Sequence, residues 1–218
     1  MAKGAALLAA AAQAAGGEAA WKAVKAVGFE REATLSVQGQ QLGVKQSQLW
    51  SFPDRRVDKL QLPFGEMVQA SDGTSAWQSA MGQTKDEPKL AEQVRTDYET
   101  SLFRLFSEPG ALKVQALSKP ETVDGVECTV ALVQSETVRD WRLFFGPDGG
   151  LHAMEHQGEG PGGPAIQRMV YSNWTKVGSI RYPHAQKTYM DGEIFLDSKV
   201  LQVELNPAIP QDSFQKPS

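Results

Sequence analysis

The stretch that most constrains the fold runs from Glu121 to Gly158, where apolar and polar residues alternate. Alternation with a period of two is typical of strands that bury one face. The cluster Gly-Pro-Asp-Gly-Gly at 146–150 favours a reversing turn, because proline fixes φ and glycine adopts positive φ without strain. We therefore predict three consecutive antiparallel strands, which carry Val126, Cys128, Val130 and Leu132, then Trp141, Leu143 and Phe145, and finally a segment from Leu151.

The same organisation fills most of the remaining chain. Five short strands are predicted between Phe29 and Ser79, and three more between Ile166 and Leu205. Asp72-Gly73 and Asp191-Gly192 are hairpin signals, because both residue types tolerate the backbone of tight turns. The 218 residues contain no linker, repeat or charge block, so we predict one domain over 1–218.

One helix interrupts the strands. Pro88 follows two acidic residues, a combination typical of a helix start, and Pro109-Gly110 ends the segment. Apolar residues recur every four positions, which predicts a single helix from Pro88 to Phe106 with one apolar stripe. That stripe is too apolar to face water, so the helix should cover a sheet or fill a barrel. Its members are Leu90, Val94, Tyr98, Leu102 and Phe106, with Phe103 widening it.

The N-terminal segment MAKGAALLAAAAQAAGG has two interpretations. It resembles a weak signal peptide, or it is a helix that ends at Gly16-Gly17. We favour the helix, because only Leu7 and Leu8 are large apolar residues. No other stretch approaches the roughly 18 apolar residues of a membrane span. The formal charge of −4 and the absence of a basic run argue against a nucleic-acid partner.

His152, Glu155 and His156 match H-x-x-E-H, the inverted zinc-peptidase signature. That chemistry needs both histidines one turn apart on a helix, yet glycines bound the segment closely on both sides. On a strand the two histidines would lie about 13 Å apart, too far for one zinc ion. We therefore expect a strand with solvent-facing or groove-facing histidines and no bound metal.

Other candidate chemistry is weaker. His184 lacks a nucleophile and a carboxylate partner, and Ser101 and Ser107 lack a G-x-S-x-G context. The glycine-rich loop at 158–163 leads into a strand, whereas a phosphate loop leads into a helix. We predict no catalytic residue and no cofactor, and a hydrolase is the weakest alternative. Cys128 is expected to be a buried small hydrophobe.

Several short motifs occur in an order that resembles a known family. They are Gly16-Gly17, Phe52-Pro53-Asp54-Arg55, Asp72-Gly73 with Trp77, Asp124-Gly125-Val126, Tyr171-Ser172-Asn173-Trp174 and Asn206-Pro207 through Phe214. The chain is similar to the periplasmic lipoprotein-carrier superfamily, which includes the lipoprotein-localisation proteins A and B and the outer-membrane lipoprotein-sorting proteins. The resemblance implies an incomplete antiparallel barrel whose helices close the open mouth, and binding of lipids or acyl chains.

Together these observations predict an α+β fold, with a strongly curved antiparallel sheet (an unclosed β-barrel) and helices covering its concave face. The expected function is non-enzymatic binding of a lipid, acyl chain or lipoprotein in the periplasm or cell envelope, with the export signal absent from this sequence. For the tryptophans on predicted strands, we favour packing in the core over lining a cavity. Candidate cavity and lid residues are Leu90, Val94, Tyr98, Leu102, Phe103, Phe106, Trp77 and Trp141.

The alternative is a structural or interaction module with a filled core and no ligand. A similar domain accompanies insulinase-like zinc peptidases in some bacteria, so the partner would then be an envelope protein. A hollow concave side would separate the carrier from this module.

Overall fold

The computed structural model describes residues 2–37, 39–160 and 163–217. These residues form a 14-stranded antiparallel sheet that does not close on itself, together with four α-helices, as predicted for an unclosed barrel with helices. The strands follow the order β6-β5-β4-β3-β2-β1-β14-β13-β12-β11-β10-β9-β7, and β8 pairs with β9 beside this path. The prolines and glycines of the sequence fall mainly between strands, where pairing ends.

The strands are β1 (Ala26–Val37), β2 (Gln40–Ser51), β3 (Arg55–Leu62), β4 (Gly65–Asp72), β5 (Ala76–Ala80), β6 (Gln83–Asp86), β7 (Lys113–Ala116), β8 (Glu121–Val123), β9 (Val126–Gln134), β10 (Arg142–Phe145), β11 (Leu151–Gly160), β12 (Gly163–Val177), β13 (Ile180–Met190) and β14 (Glu193–Leu205). The helices are α1 (Ala2–Ala14), α2 (Glu18–Lys22), α3 (Pro88–Glu99) and α4 (Leu102–Ser107), and a 3-10 turn covers Pro109–Ala111.

The chain forms two compact units. Unit 1 contains Met1–Ala23 and Leu102–Asp197, and unit 2 contains Val24–Ser101 and Ser198–Ser218. The single domain expected from the sequence stays a prediction, and each unit is described by itself below.

Aromatic side chains fill the core of unit 1. Trp21 on α2 is fully buried, and its ring meets Phe103 at 5.3 Å and Phe106 at 5.2 Å between centroids, both edge-on. Phe103 in turn stacks on Tyr182 of β13 at 5.7 Å. Offset and edge-on pairs are the favoured aromatic geometries, so α2 and α4 hold each other by shape as well as by buried area.

The central meander of unit 1 contains one strand more than predicted. Asp124 and Gly125 both have positive φ, as a tight two-residue hairpin requires, and they turn β8 onto β9. Cys128 is buried with Val130, Phe144 and neighbouring apolar residues, as its pattern indicated. Leu132, predicted to lie on the same apolar face, is 36% exposed.

The exposure of Leu132 has a local cause. Its partners on the two neighbouring strands are Arg142 and Gln115, which are both polar. No apolar cross-strand neighbour therefore covers it, although the alternation along β9 is regular.

Unit 2 is built from β1–β6, α3, the second part of β14 from Ser198, and the C-terminal tail. Leu90, Ala91 and Val94 of α3 pack with Ala76 of β5. On another part of this sheet, Trp77 packs with Val57, Ala70 and Phe214, and its indole N–H donates to the Phe214 carbonyl at 3.1 Å. The tail therefore contributes a buried ring to the apolar packing of unit 2.

The predicted single helix from Pro88 to Phe106 is wrong. The segment forms α3 and α4, which belong to different units. The hydroxyls of Thr100 and Ser101 donate to the carbonyls of Thr96 (3.2 Å) and Tyr98 (2.8 Å). The backbone N–H groups of the same two residues donate to the same two carbonyls, at 3.1 and 3.0 Å, so the side chains and the main chain together close the last turn of α3.

Candidate functional site

Unit 1 contains a pocket of about 490 Å³. Its walls come from α1, α4, the turn between β10 and β11, and the strands β9, β11, β12 and β13. Five large apolar or aromatic side chains line the pocket, together with three polar side chains and several alanine, glycine and proline residues. The large apolar and aromatic residues are Phe106, Val126, Leu151, Tyr171 and Trp174, and the polar residues are Asp148, His152 and Arg181.

One wall of the pocket is made of alanine. Ala11, Ala14 and Ala15 at the end of α1 and just beyond it line the space, and their small side chains leave volume that a leucine would fill. Two glycines set the position of this helix. A Cβ on Gly4 would lie 2.6 Å from the Val114 carbonyl oxygen, and one on Gly16 would lie 2.6 Å from the Ser179 oxygen. Neither position accepts a side chain, so the glycines allow α1 to approach the strands closely.

A β-bulge turns His152 toward the pocket. Phe144 pairs with Ala153 and Phe145 with Leu151, which leaves His152 as the extra residue on β11. Bulges redirect side chains in this way and are frequent near functional sites. The His152 Nε2 lies 3.1 Å from the carbonyl oxygen of Val123, which orients the ring.

His156, the other histidine of the motif, differs from the expectation. It is 5% exposed and its Nδ1 lies 3.2 Å from the Gln157 carbonyl oxygen, so it faces neither solvent nor a groove. Because His152 lies in the bulge and His156 lies in the regularly paired part of β11, their sequence spacing does not predict their surroundings.

An unusual backbone position brings two aromatic rings together. Along a regular strand, residues three positions apart point to opposite faces. Asn173 has φ of 53°, and the rings of Tyr171 and Trp174 on either side of it meet at 6.2 Å and line the same pocket. Asparagine tolerates this left-handed conformation better than most residues. We attribute the convergence of the two rings to this kink.

The polar lining residues have different surroundings. Arg181 is exposed, and its Nη2 donates to the Trp174 carbonyl at 3.0 Å. Asp148 Oδ1 accepts the N–H of Gly150 at 3.0 Å, within its own turn. Burial raises the pKa of Tyr171 well above its ordinary value, with a smaller contribution from Tyr182. The phenol is therefore neutral and adds no charge to the pocket.

Of the predicted cavity residues in unit 1, Phe106 lines the pocket. Leu102 and Phe103 are buried on α4, where Phe103 packs between Trp21 and Tyr182. Trp141 is 2% exposed, and its indole N–H has no hydrogen-bond partner among the described residues.

The predicted residues in unit 2 lie in packed clusters. Leu90 and Val94 pack with Ala76. Tyr98 is half-buried against Trp50 at 6.2 Å and Phe52 at 5.3 Å, and Trp77 belongs to the cluster with Phe214. The helical stripe thus predicted burial for most of these residues, whereas the pocket, apart from Phe106, is lined by residues outside the stripe.

Glu155, the acidic residue of the zinc-peptidase motif, is held by arginines. It is 7% exposed, and its carboxylate lies 3.1 Å from Arg142 Nη1 and 2.8 Å from Arg168 Nε. Both arginines are its direct cross-strand neighbours, and Arg142 also pairs with Glu121. A carboxylate neutralised in this way has the role of a structural ion pair rather than of a general base.

Within 2–37, 39–160 and 163–217, no cluster of three histidine, cysteine, aspartate or glutamate residues is arranged to hold a metal ion. In the same residues, no helix has the length and apolar character needed to cross a membrane.

Comparison with solved structures identifies proteins of the same architecture. A DUF1329 family protein from Desulfovibrio piger superposes with a TM-score of 0.59 at 9% identity, over 98% of this chain and 96% of that one. A LolA superfamily protein from Nitrosomonas europaea gives a TM-score of 0.58 at 12% identity, over 91% and 96% of the two chains. The chain has the same fold as these proteins.

A third structure, described as an outer membrane lipoprotein-sorting protein domain from Vibrio parahaemolyticus, gives a TM-score of 0.55 at 11% identity, over 98% and 96% of the chains. No family model matches the sequence, and no curated protein does. The resemblance read from the short motifs is therefore confirmed at the level of the fold.

Proposed function

We propose that this chain binds a lipid, an acyl chain or the acyl group of a lipoprotein in the pocket of unit 1, without catalysing a reaction. The observation that carries the proposal is a space of about 490 Å³ with apolar and aromatic walls. Small-molecule sites in proteins commonly have volumes of roughly 300–1,000 Å³ and few polar groups. Location in the bacterial periplasm or envelope belongs to the same proposal, and the lipoprotein-sorting description of one similar structure supports it.

The energetics are sufficient for reversible carriage. Burying a chain of ten methylene groups gains roughly 8 kcal/mol, at about 0.8 kcal/mol for each group. Association costs about 4 kcal/mol or more in lost translational and rotational freedom. The remainder corresponds to weak binding, about millimolar. A carrier has to release its ligand, so weak binding suits the proposed role.

We propose that α4, rather than a helix spanning Pro88 to Phe106, is the element that yields to the ligand. Phe106 is fully buried and its ring contacts Trp21 and, at 6.3 Å, Trp174. A chain entering beside Phe106 exchanges contacts with this ring for contacts with the ligand. The helix is short, with residues Leu102–Ser107, so few backbone hydrogen bonds oppose its movement.

The first test is native mass spectrometry of the purified protein, in which a co-purified lipid is the expected result. The second is titration with a fluorescent fatty acid. Ala14→Phe places a large ring in the alanine wall and should weaken binding at least about tenfold, because the ring occupies the ligand's volume. Ala10→Phe is the matched control, since Ala10 is exposed on the same helix and does not line the pocket.

A structural or interaction module is the second candidate function. The packed clusters that contain Leu90, Val94 and Trp77 favour it, because they leave no space at those positions. If binding is saturable, is weakened by Ala14→Phe and is unchanged in Ala10→Phe, the protein is a carrier rather than a structural module. Absence of both co-purified lipid and titratable binding decides for the module.

A further inference from the structure

We infer that the ligand of the unit 1 pocket carries one anionic group, a carboxylate or a phosphate, which Arg181 binds. This inference rests on the proposed function and narrows its ligand class to single-chain anionic amphiphiles. It rests on the position of Arg181, on the absence of a salt bridge to its guanidinium group, on the hydrogen bond that Asp148 makes within its own turn, and on the size of the pocket.

Arg181 is fixed at the pocket through its main chain. Its N–H donates to the Ala15 carbonyl at 2.8 Å, immediately after α1, and Ala15 itself lines the pocket. The side chain is exposed, and one Nη2 hydrogen bond connects it to the Trp174 carbonyl at 3.0 Å. A guanidinium group has five N–H donors, so this bond leaves four for another acceptor.

Three arginines of unit 1 have carboxylate partners, whereas Arg181 has none. Glu155 pairs with Arg142 and Arg168, and Glu108 pairs with Arg104 at 2.8 Å. No carboxylate of the described residues forms a salt bridge with Arg181. Arg181 is therefore a pocket-lining cation without an acidic partner in the described part of the chain.

Asp148, the acidic residue of the pocket, is turned toward its own backbone. Its Oδ1 accepts the Gly150 N–H at 3.0 Å, and a Cβ on Gly146 would lie 3.1 Å from the same oxygen. This is the geometry of an Asx turn, in which the carboxylate belongs to the loop. Asp148 thus defines the turn, while Arg181 is the group that presents donors to a ligand.

The geometry of the guanidinium selects the ligand chemistry. Its planar fork matches the oxygen spacing of both carboxylates and phosphates, and such bonds are stronger than those between neutral groups. The apolar walls take the chain, and a pocket of about 490 Å³ corresponds to a ligand of small-molecule size. A fatty acid and a single-chain alkyl phosphate share this chemistry.

The test uses three ligands with the same ten-carbon chain: decanoate, decyl phosphate and decanol. Their affinities are measured by competition with a fluorescent fatty acid, for wild type, Arg181→Gln and Arg139→Gln. The last variant is the matched control, because Arg139 is exposed in the same unit and does not line the pocket. Arg181→Gln retains hydrogen-bonding capacity but removes the charge.

We expect Arg181→Gln to weaken binding of the two anions by about three- to tenfold, as for a partly exposed ion pair, and to leave decanol unchanged. Arg139→Gln should change none of the three. The preference of wild type for the anions should fall with added salt, because screening weakens exposed charge pairs. The ratio between decanoate and decyl phosphate separates a carboxylate ligand from a phosphate ligand.

Three outcomes would overturn the inference in distinguishable ways. If decanol and the anions bind wild type equally and Arg181→Gln changes neither, the ligand needs no anionic group, and the proposed function stands. Equal weakening of all three ligands shows that Arg181 only shapes the wall. Binding of none of them to wild type ends the proposed function as well. If Arg181→Gln does not fold, Arg181→Lys replaces it in the test. Arg181→Lys keeps the charge, so it should keep the preference for the anions, and that preference should still fall with added salt.

Discussion

The ring cluster of unit 1 and the polar network of unit 2 are buried regions of different kinds. In unit 1, Trp21, Phe103 and Phe106 are between 0 and 3% exposed, and the Trp21 ring meets the other two edge-on beside the pocket. In unit 2 the strands bury Asp58 at 5% and Gln48 at 8% exposure, in a hydrogen-bonded network. The ring cluster is thus held by apolar shape, and the polar network by directed hydrogen bonds and ion pairs.

The polar network of unit 2 is continuous across three elements. Asp58 on β3 accepts hydrogen bonds from Gln48 at 2.6 Å and Gln46 at 3.0 Å on β2. Arg56 lies 2.7 Å from Asp58 through Nε and 2.6 Å from Asp97 on α3 through Nη1. Burial lowers the pKa of Arg56, but the attraction of Asp58 and Asp97 outweighs it, so the net shift is upward and the guanidinium stays charged.

The difference explains why a pocket can form beside the ring cluster. Apolar packing is non-directional, so a core of rings can stand beside a pocket whose volume suits a ligand. A buried polar network is stable only when its members find their partners, so it specifies strand register and the position of α3 instead. Substitutions should therefore act through lost contact area in the ring cluster and through unpaired polar groups in the polar network.

The largest expected effect is that of Phe106→Ala in unit 1. Removing this fully buried ring should lower the free energy of unfolding by about 3–5 kcal/mol, the usual range for truncating a core phenylalanine. Urea denaturation measures it. The same change should raise affinity for an acyl ligand, because the ligand no longer competes with the ring. A loss below about 1 kcal/mol would show that the packing against Trp21 contributes little.

The next effect is that of Asp58→Ala in unit 2. It should cost about 3 kcal/mol, because it leaves Arg56 buried beside unpaired amides. The matched control is Asp86→Ala, which removes the exposed pair between Asp86 and Lys216, at 2.8 Å, and should cost less than about 1 kcal/mol. Equal losses from the two variants, measured by the same denaturation, would contradict the distinction drawn between buried and exposed charge.

Asn173 provides a smaller, conformational test of the pocket of unit 1. Asn173→Val should destabilise the protein by about 1–2 kcal/mol, since a β-branched residue disfavours φ of 53°. Asn173→Gly should be nearly neutral, because glycine adopts this conformation freely. If both variants fold, only the valine variant should lose fatty-acid binding, as Tyr171 and Trp174 separate. Unchanged binding in Asn173→Val would show that the pocket does not depend on the backbone conformation of Asn173.

The strands of this protein were predictable because a period of two is a local property. The alternation from Phe29 onward and between Val126 and Leu132 corresponds to β1 and β9 in the structure. The break between α3 and α4 was not predicted, because the apolar spacing continues through Thr100 and Ser101. Nothing local distinguishes hydroxyls that will end a helix from hydroxyls that will face solvent.

The pocket was beyond sequence reasoning for a different reason. It depends on where His152 falls in a bulge, on the direction in which Asn173 turns the chain, and on alanines that leave space rather than fill it. Each is a tertiary property. Asn173 and Gly16 did stand in motifs that carried the family resemblance, and positions with unusual φ were the available signal.

The smallest effect concerns Tyr189 of β13, whose hydroxyl donates to both carboxylate oxygens of Asp124 at 2.8 and 2.9 Å. This pair tests whether a single hydrogen bond in unit 1 contributes to stability, as the hydrogen bonds of the polar network in unit 2 are expected to do. Burial, and then the bond to Asp124, raise the pKa of Tyr189 from the ordinary value of 10.0 to about 12. Between these values the unfolded chain has released this proton while the folded protein retains it. The contribution to stability is therefore complete below about pH 10 and is lost as the pH rises to about 12.

Wild type should therefore lose stability over this interval more steeply than Tyr189→Phe, whereas the two profiles should run parallel below it. Absorbance of the tyrosinate form, taken as the difference between the two proteins, reports the titration directly, and Asp124→Asn should move it back toward 10. A difference spectrum that already titrates near pH 10 in the wild-type background would show that the contact between Tyr189 and Asp124 does not persist in solution.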